Sequence, residues 1–288
     1  RNKIISIIKK MFLWLENLQI EKNKFSFFND SAYEIAPNFE KLINYAKYLG
    51  IHYNNVYDKN FHYKYFKNSG FINSFSDKAR LNVDLGKIGY KKNPGHAHAD
   101  CLSFELALFG GKFIVNSGTS TYQNNNLRKY QRSTASHNTL YFENINSSDI
   151  WKSFRVGKTA NTKIKKISFN KSNFILNIFA CHNGFSSINK NRIHSRKFSF
   201  KKNSLLIIDH VKGDYKKAKV NYFLHPEVKI KDNHTLMFKE NEVKIQSFNS
   251  DIIISKSFWY PEFGIRVENN LIQLILTNHN KCGLKIKW

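Results

Sequence analysis

Three histidines and one acid give this sequence its most pointed chemistry. They lie in Gly95-His96-Ala97-His98-Ala99-Asp100 and, further along, in Ser136-His137-Asn138. Side chains alternate along an extended chain, so a His-x-His pair there turns both rings to one face. Two rings on one face, joined by a third His from a neighbouring segment, can hold a metal or move protons. A single His is more often an ordinary core or surface residue. The pair is flanked by Gly and Asp, and His137 follows the polar stretch Tyr130-Gln131-Arg132-Ser133-Thr134-Ala135-Ser136, which has little to bury. Loops of that kind carry function disproportionately, so both segments read as the rim of a site.

The elements that must position these residues change character along the chain. In 4–18 the apolar residues Ile4, Ile7, Ile8, Phe12, Leu15 and Leu18 recur at three- and four-residue spacing, which predicts an amphipathic helix. A second such run covers 37–49 and stops at Gly50. Phe27-Phe28-Asn29-Asp30 between them reads as a loop packed by its own aromatics. From about residue 70, short runs rich in Val, Ile, Phe and Tyr are separated by Asn, Gly, Asp and Lys clusters. The expected strands are 102–109, 112–116, 138–143, 163–169, 172–180, 196–201, 204–209, 218–224, 242–247, 251–256 and 271–277. The alternating Arg196-Lys197-Phe198-Ser199-Phe200-Lys201, with Lys202-Asn203 as a turn into 204–209, predicts a hairpin. Such a series fits an antiparallel β-sandwich and not βαβ units. The fold class expected is α+β: a helical segment over 1–62 and a β-sandwich over 63–288.

Composition narrows the partners. The 288 residues carry 46 Lys and Arg against 21 Asp and Glu, a net charge of +25. That surplus favours an acidic partner. The joint enrichment of Lys, Asn, Ile and Phe is also what AT-rich coding produces, and the basic residues are scattered. No helix-turn-helix, finger or RNP pattern is present, so nucleic acid is not the expected partner. No apolar run is long enough to predict a membrane span. The three cysteines, Cys101, Cys181 and Cys282, are far apart and form no CxxC pair. The chain begins at Arg1, and a longer gene product is expected.

The stretch GHAHADCLSFELALFGGKFIVNSGT, followed by RKYQRSTASHNT and DIWKSFRVG, resembles the C-terminal region of the heparinase II/III-like polysaccharide lyases. FFNDSAYEIAP resembles the end of their helical toroid, and FLHPEV at 223–228 a later motif of their β domain. The likeness runs from about residue 1 to 230. It implies an incomplete (α/α) toroid joined to a large antiparallel β-sandwich, and cleavage of acidic polysaccharides by β-elimination in the periplasm or outside the cell. By position, His96 resembles the family's active-site His, and His98 and His137 resemble two metal ligands. The third ligand in the family is an Asp. Here Asn116, in Val115-Asn116-Ser117-Gly118-Thr119, offers a neutral oxygen, so the resemblance implies a weak zinc or calcium site. Asp100 is a substitute ligand or a partner that holds the His98 ring. The family's toroid supplies a Tyr and an Asn or His, and most of that toroid lies outside this sequence.

β-Elimination needs a base, an acid and a group that neutralises the substrate carboxylate. His96 with Tyr122 or Tyr130 suits the proton transfers. Arg128, Arg132 and Arg155 are candidates to pair with carboxylates or sulfates, although each is as well suited to backbone carbonyls. Glu105, in the apolar run Leu102-Ser103-Phe104-Glu105-Leu106, needs a loop or a cation as partner if it faces inward. Two readings stand: a lyase of uronic-acid polysaccharides, and a non-catalytic carbohydrate-binding β-sandwich.

Overall fold

The computed structural model describes residues 2–54, 62–90, 92–187, 191–277 and 279–288. Helix α1 (Asn2–Leu18) turns Phe12 and Leu18 inward, and helix α2 (Phe39–Tyr48) meets it through Phe39 and Ala46. The Asn38 side chain caps α2 by accepting from the Lys41 N–H. Gly50, with φ of +72°, ends that helix as the sequence predicts. The stretch between the helices is not helical. It forms a short hairpin, Gln19–Glu21 against Lys24–Phe25, and then a loop. Phe27 packs on Tyr33 of its own loop and also stacks on Trp259, 5.9 Å between centroids. Phe28 lies on Phe71, so partners from the β domain complete this packing.

The remainder is antiparallel β. A five-stranded meander runs His62–Phe66, Phe71–Phe75, Ala79–Asp84, Phe104–Leu108 and Gly111–Ile114. An eight-stranded sheet is centred on Ile193–Lys201, Ser204–Lys212 and Lys281–Lys287. A four-stranded sheet pairs Ile252–Trp259, Val267–Leu276, Ala218–Phe223 and Leu140–Tyr141. One core joins all three, with Phe104 and Leu106 meeting Phe198, Phe200 and Ile207, and Val220, Tyr222 and Leu274 closing it. This is the antiparallel sandwich with a short helical start that the residue pattern predicts.

The strands Phe71–Phe75 and Ala79–Asp84 were not among those expected, because they bury polar residues. Asn82 donates to the Leu18 carbonyl at 3.1 Å and to Ser26 Oγ at 2.7 Å. A buried amide there satisfies the exit of α1 and welds the helical segment to the sheet. Trp14 adds a bond from its indole N–H to Ser69 Oγ. Two long connections leave the regular sheets and carry the candidate residues. One joins Asp84 to Phe104, and the other joins Ile114 to Leu140 through helix α3 (Asn126–Arg132).

Candidate functional site

His96 and His98 lie on a turn and loop, not on the strand their spacing suggests. Their rings nevertheless converge on one carboxylate, that of Asp30 in the loop between α1 and α2. His96 Nδ1 is 2.9 Å from Asp30 Oδ2, and His98 Nε2 is 2.8 Å from Asp30 Oδ1. Backbone bonds fix this meeting. Asp30 N–H donates to the His96 carbonyl, and His98 N–H donates to Asn29 Oδ1, with Asn29 in the left-handed region at φ +56°. Arg128, from α3, grips both Asp30 oxygens, at 2.7 Å for Nη2 to Oδ2, and also donates to the Ser153 carbonyl.

The electrostatics follow. Burial alone would raise the Asp30 carboxyl, but hydrogen bonds from His98 and Arg128, with the Arg128 charge, outweigh it and hold the group well below the usual carboxylate range. Burial lowers the His98 imidazole, and burial with the adjacent His98 lowers His137 further, so both rings are neutral. His96 differs from them: its side chain is 65% exposed. With Nδ1 donating to Asp30, the exposed ring lines an open groove together with Lys152, Phe154 and Arg155. The Tyr122 ring lies 5.8 Å and the Phe154 ring 5.4 Å from the His96 ring. Burial, followed by the Asp30 charge, raises the Tyr122 hydroxyl, which keeps its proton at neutral pH.

The other expected residues divide. Tyr130 is not brought to His96. It is held in α3 near Ser257 and Tyr260, where burial raises its hydroxyl. Arg128 and Arg132 are fully enclosed, which corrects their assignment as substrate-binding groups. Arg128 is spent on Asp30 and Ser153. Arg132 donates to the carbonyls of Ala97, Lys152 and Arg155 and thereby ties the His96 loop to the 151–155 segment. Arg155 alone of the three is exposed. Asp100 is buried with Asp84 and does not partner the His98 ring; Asp30 takes that place. Glu105 is fully buried, accepts the Asn116 N–H at 2.9 Å and faces Lys112 Nζ at 3.4 Å.

Two of the three expected metal ligands lie side by side. His98 Nδ1 and His137 Nε2 face each other at 3.3 Å. Two nitrogens roughly 2.0–2.1 Å from one tetrahedral zinc have about that separation. Asp30 on the outer nitrogen of His98 is the usual way to orient such a ligand. The third donor is poorer: Asn116 Oδ1 already accepts from the Asn138 N–H and amide at 3.2 and 3.3 Å, and its Nδ2 has no partner. Among the described residues no three His, Cys, Asp or Glu side chains gather in a metal-binding group.

Two contributors escape the sequence pattern. Asp30 is one. The other is a buried chain beneath His137. Gly184 N–H donates to His182 Nδ1. His182 Nε2 meets His194 Nδ1 at 3.0 Å, and His194 Nε2 meets Asp209 Oδ1 at 2.6 Å. Arg196 bonds Asp209 through Nε and Nη2, and its Nη1 reaches the carbonyls of Leu102 and Asn138. Asn138 in turn donates to the Phe104 carbonyl and accepts the Phe223 N–H, so the residue after His137 is pinned between two sheets. The alternation of 196–201 puts Arg196 on the face of Phe198 and Phe200, and an inward Arg needs buried acceptors, here Asp209 and two carbonyls.

A family model described as heparinase II/III-like, C-terminal, matches residues 58–288. Among solved structures, the heparan sulfate lyase HepC from Pedobacter heparinus is similar over the whole chain, with a TM-score of 0.77 at 17% identity. A heparinase III is similar with a TM-score of 0.76 at 17% identity. The chain covers 47% and 49% of those two proteins, about half their length. No match was found among curated proteins. The matched region holds every strand of the sandwich and both histidine-bearing connections, and the chain belongs to the heparinase II/III-like C-terminal family.

Proposed function

We propose that this chain is the β-domain half of a lyase that cleaves an acidic, uronic-acid-containing polysaccharide by β-elimination, in the periplasm or outside the cell. In this reading residues 1–62 close a helical toroid and 63–288 form the β domain. The observation that carries the proposal is His96: an exposed ring that lines a groove, with Nδ1 fixed by a buried carboxylate and a protonated Tyr122 beside it.

His96 Nε2 takes the proton from C5 of the uronic acid, and the Asp30 charge stabilises the resulting imidazolium. The electron pair forms the C4–C5 double bond as the C4–O bond breaks. Tyr122 gives its proton to the departing oxygen. Arg155 and Lys152 supply positive charge to the substrate acid group in the groove. His98, His137 and Asn116 would hold a divalent ion, zinc or calcium, which supplies fixed positive charge behind the His96 loop. The remaining groups would come from the helical toroid that the family resemblance implies.

The test uses the full-length protein. It should release products with new ultraviolet absorbance from an acidic, uronic-acid-containing polysaccharide, and His96→Ala should lower turnover about a hundredfold or more. Full activity in that variant, or hydrolysis with no unsaturated product, rejects the mechanism. Binding without any cleavage would favour the carbohydrate-binding alternative, which the half-length match to the relatives keeps in view.

A further inference from the structure

Two open grooves meet at the His96, Tyr122 and Phe154 rings. The first, about 500 Å³, contains His96 and is flanked by Lys152 and Arg155. The second, about 700 Å³, begins on the far side of Tyr122 and ends at Arg266. The Tyr122 ring forms the wall between them, 5.1 Å from Phe154 on one side and 4.7 Å from Phe263 on the other. Neither groove is lined by a carboxylate among the described residues. Two other grooves, of about 800 and 650 Å³, are: Glu21, Glu40 and Asp77 line one, Glu34 and Glu262 the other. A further groove of about 530 Å³ along α1, beside Lys9 and Lys10, also lacks a carboxylate but holds none of the candidate residues. Of the grooves that carry candidate residues, the track through His96 is matched in charge to a polyanion.

We propose that the second groove is a sugar subsite and that Arg266 reads an acidic group on a residue of the same polysaccharide chain beyond the reacting uronic acid. The proposal rests on the lyase reading and adds a substrate requirement to it. Phe263 and Ile265, 39% and 44% exposed, give the groove an apolar floor of the kind that the C–H faces of a pyranose ring cover. Gln123 adds an exposed amide for hydroxyls. Arg266 is exposed, and its guanidinium lies 4.5 Å from the centre of the Phe258 ring, which holds the fork in place while leaving its edge to a ligand. It makes no ion pair among the described residues. The two groove walls are tied together: Gly264 N–H donates to the Ser120 carbonyl at 2.9 Å, and Gly118 pairs with Tyr260. The subsite is thus preformed and continuous with the reactive ring.

The experiment compares initial rates of unsaturated-product release by the full-length protein and its Arg266→Ala and Arg266→Lys variants. The probes are a tetrasaccharide and an octasaccharide of alternating uronic acid and hexosamine. Arg266→Ala should raise KM for the octasaccharide about fivefold with kcat nearly unchanged, and should leave the tetrasaccharide unaffected. Arg266→Lys should recover part of the loss, because it keeps the charge without the fork. Equal kcat/KM for wild type and Arg266→Ala on the octasaccharide overturns the subsite while leaving the lyase reading intact. So does an equal loss on both lengths. Absence of unsaturated product from the wild type on either probe overturns the lyase reading, and the subsite with it.

Discussion

Replacing Asp209 by Asn removes the only carboxylate of the buried chain beneath His137 and leaves the Arg196 charge enclosed. Arg196, Asp209 and His194 are all fully buried. Stripping one partner from such a pair costs about 3–5 kcal/mol, since the remaining charge has lost its counter-ion and water cannot reach it. For a domain of this size that lowers the melting temperature by roughly 10 °C. The pH dependence gives a second, independent reading. Burial alone would raise the Asp209 carboxyl, but Arg196 and His194 outweigh it and hold it at about 2. A carboxyl with a lowered native pKa stabilises fully above its unfolded value near 3.8 and loses that contribution as pH falls toward 2. The shift corresponds to about 2 kcal/mol. His182 and His194 are also lowered, by burial, so their contribution is complete above roughly pH 6.5 and declines below it. Wild-type stability should therefore fall in two stages on acidification. Urea unfolding followed by tryptophan fluorescence at a series of pH values measures both. In Asp209→Asn the gap to wild type should be widest at pH 7 and shrink by about 2 kcal/mol between pH 4 and 2. A variant within 1 kcal/mol of wild type at pH 7, or a gap unchanged down to pH 2, refutes the argument.

Asn116→Asp should raise zinc affinity about tenfold or more in a chelator competition, because a charged oxygen replaces a neutral amide whose Nδ2 is unpartnered; no gain would remove position 116 from the ligand set. Gly118→Ala should lower the melting temperature sharply: Gly118 has φ of +84°, and a Cβ there would lie 2.1 Å from the Tyr260 carbonyl oxygen. An unchanged melting curve would show that this turn can move aside.

The sandwich was legible because its strands obey simple alternation. Ser204–Lys212 buries every second residue, as Leu205, Ile207, Asp209 and Val211 show. Where polar groups point inward, that signal fails. Phe71–Phe75 carries Asn73 and Ser74 in buried positions and shows no regular alternation, while Ala79–Asp84 alternates through Ala79, Leu81 and Val83 but buries Asn82 and Asp84 on its other face as well. Lys281–Lys287 has Gly283 facing the Ile207 carbonyl, so a small residue stands where a large apolar one would announce a strand. The polar stretch from Tyr130 to Ser136 predicts a loop, yet α3 runs into it, because the residues that helix buries are Arg128, Gln131 and Arg132 and not an apolar stripe. The site was half legible. Residue types picked out His96, His98, His137 and Tyr122, whose rings the structure brings near one another. They did not reveal that two of the arginines are structural, since a guanidinium serves carbonyls and ligands with the same donors. They also missed Asp30, whose partners lie more than sixty residues away in sequence.

Asp30 makes the site a joint construction of the helical segment and the sandwich. Its loop is anchored at several independent points. Phe27 stacks on Trp259, Lys112 donates to the Phe25 carbonyl at 2.8 Å while its ammonium lies 3.9 Å from the centre of the Phe27 ring, and Arg80 donates to the Gln19 carbonyl. Burial lowers the Lys112 ammonium, and Glu105 opposes that shift, so this buried acid and base sustain each other beneath the same loop. Glu105 also accepts the Asn116 N–H, which links the anchor of the Asp30 loop to the candidate metal position. A displacement of α1 and α2 against the sheet would therefore reach three places at once: the His96 tautomer through Asp30, the His98–His137 pair through the same carboxylate, and Asn116 through Glu105. A cavity at the sandwich surface would not need such bracing to bind a sugar. In the proposed lyase the His96 ring has to present one nitrogen to a carbon-bound proton, and the bracing suits that role, because proton transfer tolerates little misplacement of the base.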